Sequence, residues 1–176
     1  MLMSFTKLAE NKLSCLVNSI KKETWRVSFY SVFIIGLFTH LYKFSNMLLN
    51  HDSVYNFYTD QNVIGSGRWF LSVACGFSSY FDLPWITGAI SLFYMALTMI
   101  IIVELFDIKS KKVIIIGSGL MVTFPGITET FFFGFTADGY MLAMLFSVLA
   151  VYFSRKNKKR VYMKILSAVL LCLSCA

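Results

Sequence analysis

The sequence predicts an all-α membrane protein, a multi-pass helical bundle, and three observations carry that expectation. The first is composition: the 176 residues are 57% apolar and 17% aromatic, with only 14% charged, where average soluble domains carry about 25% charged residues. Sixteen basic and nine acidic side chains cannot coat an aqueous globule, and a mean hydropathy of +0.69 agrees. A soluble enzyme, a DNA-binding domain and a disordered tail are excluded on that ground. The second observation is that the apolar residues come in runs near the ~20 residues that cross ~30 Å of hydrocarbon. The third is that basic residues crowd into every second gap between those runs.

Residues 1–26 are polar and basic and are expected in the cytoplasm, with no cleavable leader ahead of the first apolar run. The first span is expected over 27–49, interrupted only by His40 and Lys43 near its end, and serves as an uncleaved signal anchor. An outward loop, 50–83, precedes a second span over 84–106, whose sole charge is Glu104 near its exit. The stretch from Val113 to Phe153 is too long for one crossing. Pro125, Gly126, Glu129 and the Thr136-Ala137-Asp138-Gly139 cluster divide it into spans over 113–128 and 133–153. A fifth run, 161–176, is still apolar at Ala176 and short of a comfortable crossing, so the chain is expected to be an N-terminal fragment of a longer protein.

Placement of charge gives the orientation. Every Lys and Arg except Lys43 and Arg68 lies before the first span, between the second and third, or after the fourth. The positive-inside rule makes those gaps cytoplasmic. The run Arg155 to Arg160 is then a topogenic anchor on anionic lipid, and no aromatic residue interleaves it for base stacking, so nucleic acid is not an expected partner. The acids sort the other way: Asp52, Asp60, Asp82, Glu129 and Asp138 all fall in or beside the outward gaps. Carboxylates contribute little to insertion, so their convergence on one face points to function. Of the four cysteines, Cys15 is expected inside and Cys75 outside. Cys172-x-x-Cys175 sits in hydrocarbon, where small apolar filler is its expected role.

In the first outward loop, His51-Asp52 stands directly after the first span, at the depth of lipid head groups. Asp52 there is either a cap for a short helix starting at Ser53 or a functional carboxylate. Gly65-Ser66-Gly67-Arg68-Trp69 follows, with two glycines that let the backbone approach a ligand and the only basic residue of the outward loops. Arg suits phosphate oxygens, and an Arg-Trp pair also suits a plain interfacial anchor. Phe70, Val73, Ala74, Phe77 and Phe81 then repeat at helical spacing, which predicts an amphipathic interfacial helix over 69–81, too short to span. In the second outward turn, Thr136 or Asp138 can cap the fourth span, whereas Glu129 in apolar surroundings is costly and therefore a functional candidate.

The basic N-terminus, the long first span with Asp52 at its outer end, Ser66-Gly67-Arg68-Trp69-Phe70 and Thr136-Ala137-Asp138-Gly139-Tyr140-Met141 together resemble the glucosyltransferase-II family from about Lys22 onward. These are GT-C-type multi-pass enzymes of the bacterial inner membrane, associated with glucosylation of surface polysaccharides such as O-antigen. The resemblance implies inverting transfer of glucose from a polyprenyl-phosphate donor to a glycan hydroxyl on the outer side. It implies catalytic roles for Asp52, as general base, and for Asp138, with Arg68 on the donor phosphate. It implies a pocket of His51, Asp60, Gly67, Trp69, Glu129 and Tyr140, in which Trp69 or Tyr140 stacks on a sugar. It leaves room for a divalent cation between Asp52 and Asp138. Membrane lipids complete the expected partners. The rival expectation, a transporter or flippase of lipid-linked sugars, calls for polar groups at mid-membrane and internal repeats, whereas here the carboxylates lie at the outer face.

Overall fold

In a computed structural model, the described residues are 22–56, 59, 65, 67–76, 78, 83–156 and 161–176, and among them the chain is helical with no strand. The expected segment before residue 22, together with Asp60, Ser66, Phe77, Phe81 and Asp82, lies outside the described residues. The helices are α1 (Lys22–Ser45), α2 (His51–Asn56), α3 (Leu71–Ala74), α4 (Pro84–Leu105), α5 (Lys111–Thr123), α6 (Pro125–Thr130), α7 (Ala137–Lys156) and α8 (Val161–Cys175).

Three helices, Lys22–Ser45, Pro84–Leu105 and Ala137–Arg155, are long and apolar enough to cross a membrane. The stretch expected as one span over 113–128 is two helices instead. Proline has no N–H to give and forces its predecessor out of the helical region; Phe124, before Pro125, accordingly takes φ −58° and ψ 132°. The break leaves carbonyls at the end of α5 without helical partners. His40, buried in α1, supplies one: its Nε2–H donates to Val122 O at 2.9 Å. The apparent polar interruption of the first span is thus the clasp that holds the kink.

α4 stands in the middle of the bundle, packed on α1 and on α7; α5 lies against α1 and α8 against α7. Leu92, Met95, Ala96, Met99 and Val103 of α4 meet Val32 and Phe44 of α1, Ile114 and Val122 of α5, and Met141 of α7. Much of the outside is apolar too, with Phe38, Ile116 and Leu120 all exposed. Ser28, Ser91, Thr98 and Ser118 are buried. Small polar residues inside and large apolar residues outside is the distribution expected when lipid is the solvent.

Glycine sets the closeness of α1 and α4. A Cβ on Gly36 would strike Leu92, and one on Gly88 would strike the Phe44 ring. Gly117 and Gly119 are less crowded: a Cβ there would come 3.1 Å from Met99 Cε and 3.7 Å from Ile35 Cδ1. Gly88→Val is therefore expected to lower stability by about 1–3 kcal/mol through overpacking. Thermal unfolding in detergent should show it, with Gly134→Ala, where a Cβ meets nothing within 4 Å, melting like the parent chain. Equal melting of the two variants would refute the close α1–α4 crossing.

The end of α1, the starts of α4 and α7 and the end of α5 meet at one end of the bundle, where Phe131 lies 4.5 Å from the His40 ring and 5.2 Å from Phe44. The opposite end carries an ion pair between Glu23 and Lys111. Chain direction alternates from α1 through α4, α5 and α7 to α8, and every candidate site residue among the described ones sits at the first end.

Candidate functional site

The site is built on the loop between α1 and α4 and on the turn that leads into α7. After α1, Asn50 caps α2: its Oδ1 accepts from Ser53 N at 2.7 Å and from the Ser53 hydroxyl. The helix begins at His51 rather than Ser53, and Asn50, not Asp52, fills the cap position. Asp52 is left in the first turn with its side chain 59% exposed, its Oδ1 3.6 Å from Nδ1 of His51. The His51 ring lies 5.6 Å from that of Tyr55. The capping explanation for Asp52 is thereby removed, and its carboxylate faces outward.

Gly67 has φ +81°, a left-handed conformation that an L side chain rarely adopts. It turns the chain so that Arg68 Nη1 donates to Tyr140 Oη at 2.9 Å, across 72 positions of sequence. Beyond it, the expected helix 69–81 is helical only at Leu71–Ala74 among the described residues. The buried face is also different from the expected Phe70-Val73-Ala74 stripe: Leu71, Cys75 and Ser78 are buried while Val73 and Trp69 are exposed. The reason is local docking onto the start of α7. A Cβ on Gly139 would sit 2.6 Å from Cys75 Sγ and 2.8 Å from Leu71 Cδ1, so the Ala137-Asp138-Gly139 turn admits the loop only because residue 139 is glycine.

Beneath that contact lies Asp138, 2% exposed. Its Oδ2 accepts from the Ser78 hydroxyl at 2.5 Å, and its Oδ1 is buried with no hydrogen-bond partner among the described residues. Free N–H groups in the first turn of α7 favour negative charge there. Asp138 is thus a buried carboxyl that ties the loop to α7, and it does not face open space. Thr136, its rival as a cap, instead donates to Phe133 O at 3.4 Å.

Two grooves flank Tyr140. One, with about 130 Å³ of room, is lined by Arg68, Phe70, Leu71, Tyr140 and Phe146 together with the end of α8. The other, with about 250 Å³, is lined by Gly126, Glu129, Thr130, Phe133 and Tyr140. Glu129 is exposed on α6, the short helix that starts at the Pro125 break. Trp69 is exposed, edge-on to Phe70 at 5.8 Å, and lines neither groove.

The structure therefore brings together Arg68, Tyr140, Gly67 and Glu129, with Asp138 below them. No interaction among the described residues links His51 or Asp52 to that group. Nor do the described residues assemble any group of three or more His, Cys, Asp or Glu side chains fit to hold a metal. Sequence reasoning missed Ser78 and the burial of Cys75; the spacing of Leu71, Cys75 and Ser78 at i, i+4 and i+7 was the available signal.

Residues 41–176 match the model of a family described as Glucosyl transferase GtrII. The matched stretch includes every candidate site residue. No curated protein and no solved structure matches the chain.

Proposed function

Because the chain belongs to the Glucosyl transferase GtrII family, and is therefore a membrane-associated glycosyltransferase acting on a sugar donor and an acceptor, we propose that it moves glucose from a polyprenyl-phosphate donor to a surface-glycan hydroxyl. Transfer proceeds with inversion on the outer face of the bacterial inner membrane, with the N-terminus in the cytoplasm. The distribution of Lys and Arg between the two ends of the bundle supports that orientation.

The observation that carries the reading is the Arg68–Tyr140 pair at the junction of two grooves. Arg68 keeps four further N–H donors for phosphate oxygens. Tyr140 accepts from Arg68 and so retains its own proton for donation. In the reaction, the acceptor oxygen bonds to the anomeric carbon as the bond from that carbon to the phosphate oxygen breaks. Asp52 takes the hydroxyl proton, and the departing polyprenyl phosphate carries the new negative charge to Arg68. The groove that holds Glu129 offers room for the sugar or the acceptor. Asp138 acts through the loop it fastens, holding Arg68 against Tyr140, and is a positioning residue.

The test follows loss of glucose from synthetic polyprenyl-phosphate-glucose in membranes containing the protein and an acceptor glycan. Arg68→Gln is expected to slow transfer about 100-fold by removing charge stabilisation at the leaving group, and Tyr140→Phe about tenfold by removing one donor. Unchanged turnover in Arg68→Gln would move the phosphate elsewhere. Absence of turnover in the parent protein with donor and acceptor present would favour a transporter.

A further inference from the structure

Nothing in the fold accounts for the charge of Glu129. It stands in the last turn of α6, at a helix end that favours cations over carboxylates. Among the described residues no Lys, Arg or His pairs with it. Its groove, with about 250 Å³ of room, is lined by Gly126, Glu129, Thr130, Phe133 and Tyr140. The Thr130 hydroxyl is committed to Gly126 O at 2.8 Å. The Glu129 carboxylate and the two aromatic rings therefore give the groove its chemistry.

The grooves on the two sides of Tyr140 differ in sign. One carries Arg68 and the other Glu129, and Arg68 Nη1 lies 2.9 Å from Tyr140 Oη. The guanidinium attracts a phosphate, whereas the carboxylate repels one. A glycosyl phosphate has the matching polarity, an anionic phosphate bonded directly to an uncharged ring of hydroxyls. Hydroxyls donate, a carboxylate has two oxygens to accept them, and the C–H face of a pyranose packs on an aromatic ring. We propose that the Glu129 groove seats the transferred hexose and selects its class: Glu129 accepts hydrogen bonds from the hydroxyls of a neutral sugar and repels a sugar that bears a carboxylate. This rests on the reading of Arg68 as the phosphate site. The acceptor then approaches the anomeric carbon from the side opposite the phosphate, as inversion requires.

The test titrates the intact chain, in a polyoxyethylene detergent that carries no sugar, with farnesyl phosphate, farnesyl-phosphate-glucose or farnesyl-phosphate-glucuronate, reading retained ligand by native mass spectrometry. The glucosyl group is expected to lower the concentration needed for retention about tenfold relative to farnesyl phosphate, the lower end for a hydrogen bond to a charged group. Glu129→Ala should erase that gain while holding farnesyl phosphate as the parent does. The parent should retain the glucuronate at least about tenfold less well than the glucose, by like-charge repulsion. Glu129→Gln, which keeps the shape and loses the charge, should close that gap. A glucose gain that survives in Glu129→Ala, no gain in the parent, or a gap unchanged in Glu129→Gln overturns the proposal. Should Glu129→Ala fail to fold, the glucuronate comparison decides, and equal retention of the two sugars by the parent overturns the proposal as well. Failure of the phosphate reading shows separately. Arg68→Gln would then keep farnesyl phosphate, and a glucose gain still lost in Glu129→Ala would leave the sugar seat standing.

Discussion

Asp52→Asn is expected to cut glucose transfer by about 10²–10⁴-fold while leaving the amount of protein in the membrane unchanged, as loss of a general base does. The structure gives the second half of that statement its basis. Asp52 is more than half exposed, its side-chain neighbour is the adjacent His51, and the cap of α2 comes from Asn50. An Asn at position 52 keeps the shape and costs the helix no more than about 1 kcal/mol, the worth of an exposed first-turn carboxylate. Lost activity would therefore report lost chemistry and not lost folding. Glu129→Gln is the companion variant, since Glu129 is exposed in the groove beside Tyr140. Transfer that survives Asp52→Asn and vanishes in Glu129→Gln would assign the base to α6. Survival in both would leave the proposed base catalysis without a residue.

The parts of this molecule legible in its sequence are those governed by composition and by runs. Apolar length marks the long helices, and Pro125 announces the division of the third apolar stretch. The position of the break follows from a local rule at Phe124, but its partner does not: nothing near His40 in sequence says that its ring will reach Val122 O. The same limit explains the loop. Phe70, Val73 and Ala74 have the right spacing for an apolar face, yet Leu71 and Cys75 are what the loop buries, because Gly139 leaves a hollow that fits them. Which stripe of a short segment goes inside is decided by the surface it lands on. Arg68 and Tyr140 are each legible as candidates from residue type, whereas their pairing across 72 positions is a product of that landing. Sequence position puts Asp138 at the end of a span and so suggests a carboxylate for chemistry; its burial goes with the docking of Ser78 and Cys75 on the start of α7.

Asp138→Ala is expected to release that docking. The Ser78 hydroxyl would lose its 2.5 Å acceptor and keep only its 3.2 Å bond to Cys75 O, and losing a buried hydrogen bond to a carboxyl oxygen costs about 1–3 kcal/mol. Local opening of the loop should then rise roughly tenfold or more. Cys75 reports it directly, being a cysteine side chain with no exposed surface. In a chain whose Cys15, Cys172 and Cys175 are replaced by Ser, a membrane-impermeant maleimide should label Cys75 slowly in the parent and at least about tenfold faster in Asp138→Ala, if opening limits the reaction. Ser78→Ala should behave in the same way, since it removes the other half of the bond. Asp138→Asn separates positioning from chemistry: its amide oxygen can still accept from Ser78, so labelling should stay slow and transfer should largely persist. In Asp138→Ala the donor KM should rise more than kcat falls, because what loosens is the hold on Arg68. An Asp138→Asn chain with Cys75 still protected but transfer abolished would instead place the Asp138 carboxylate among the reacting atoms.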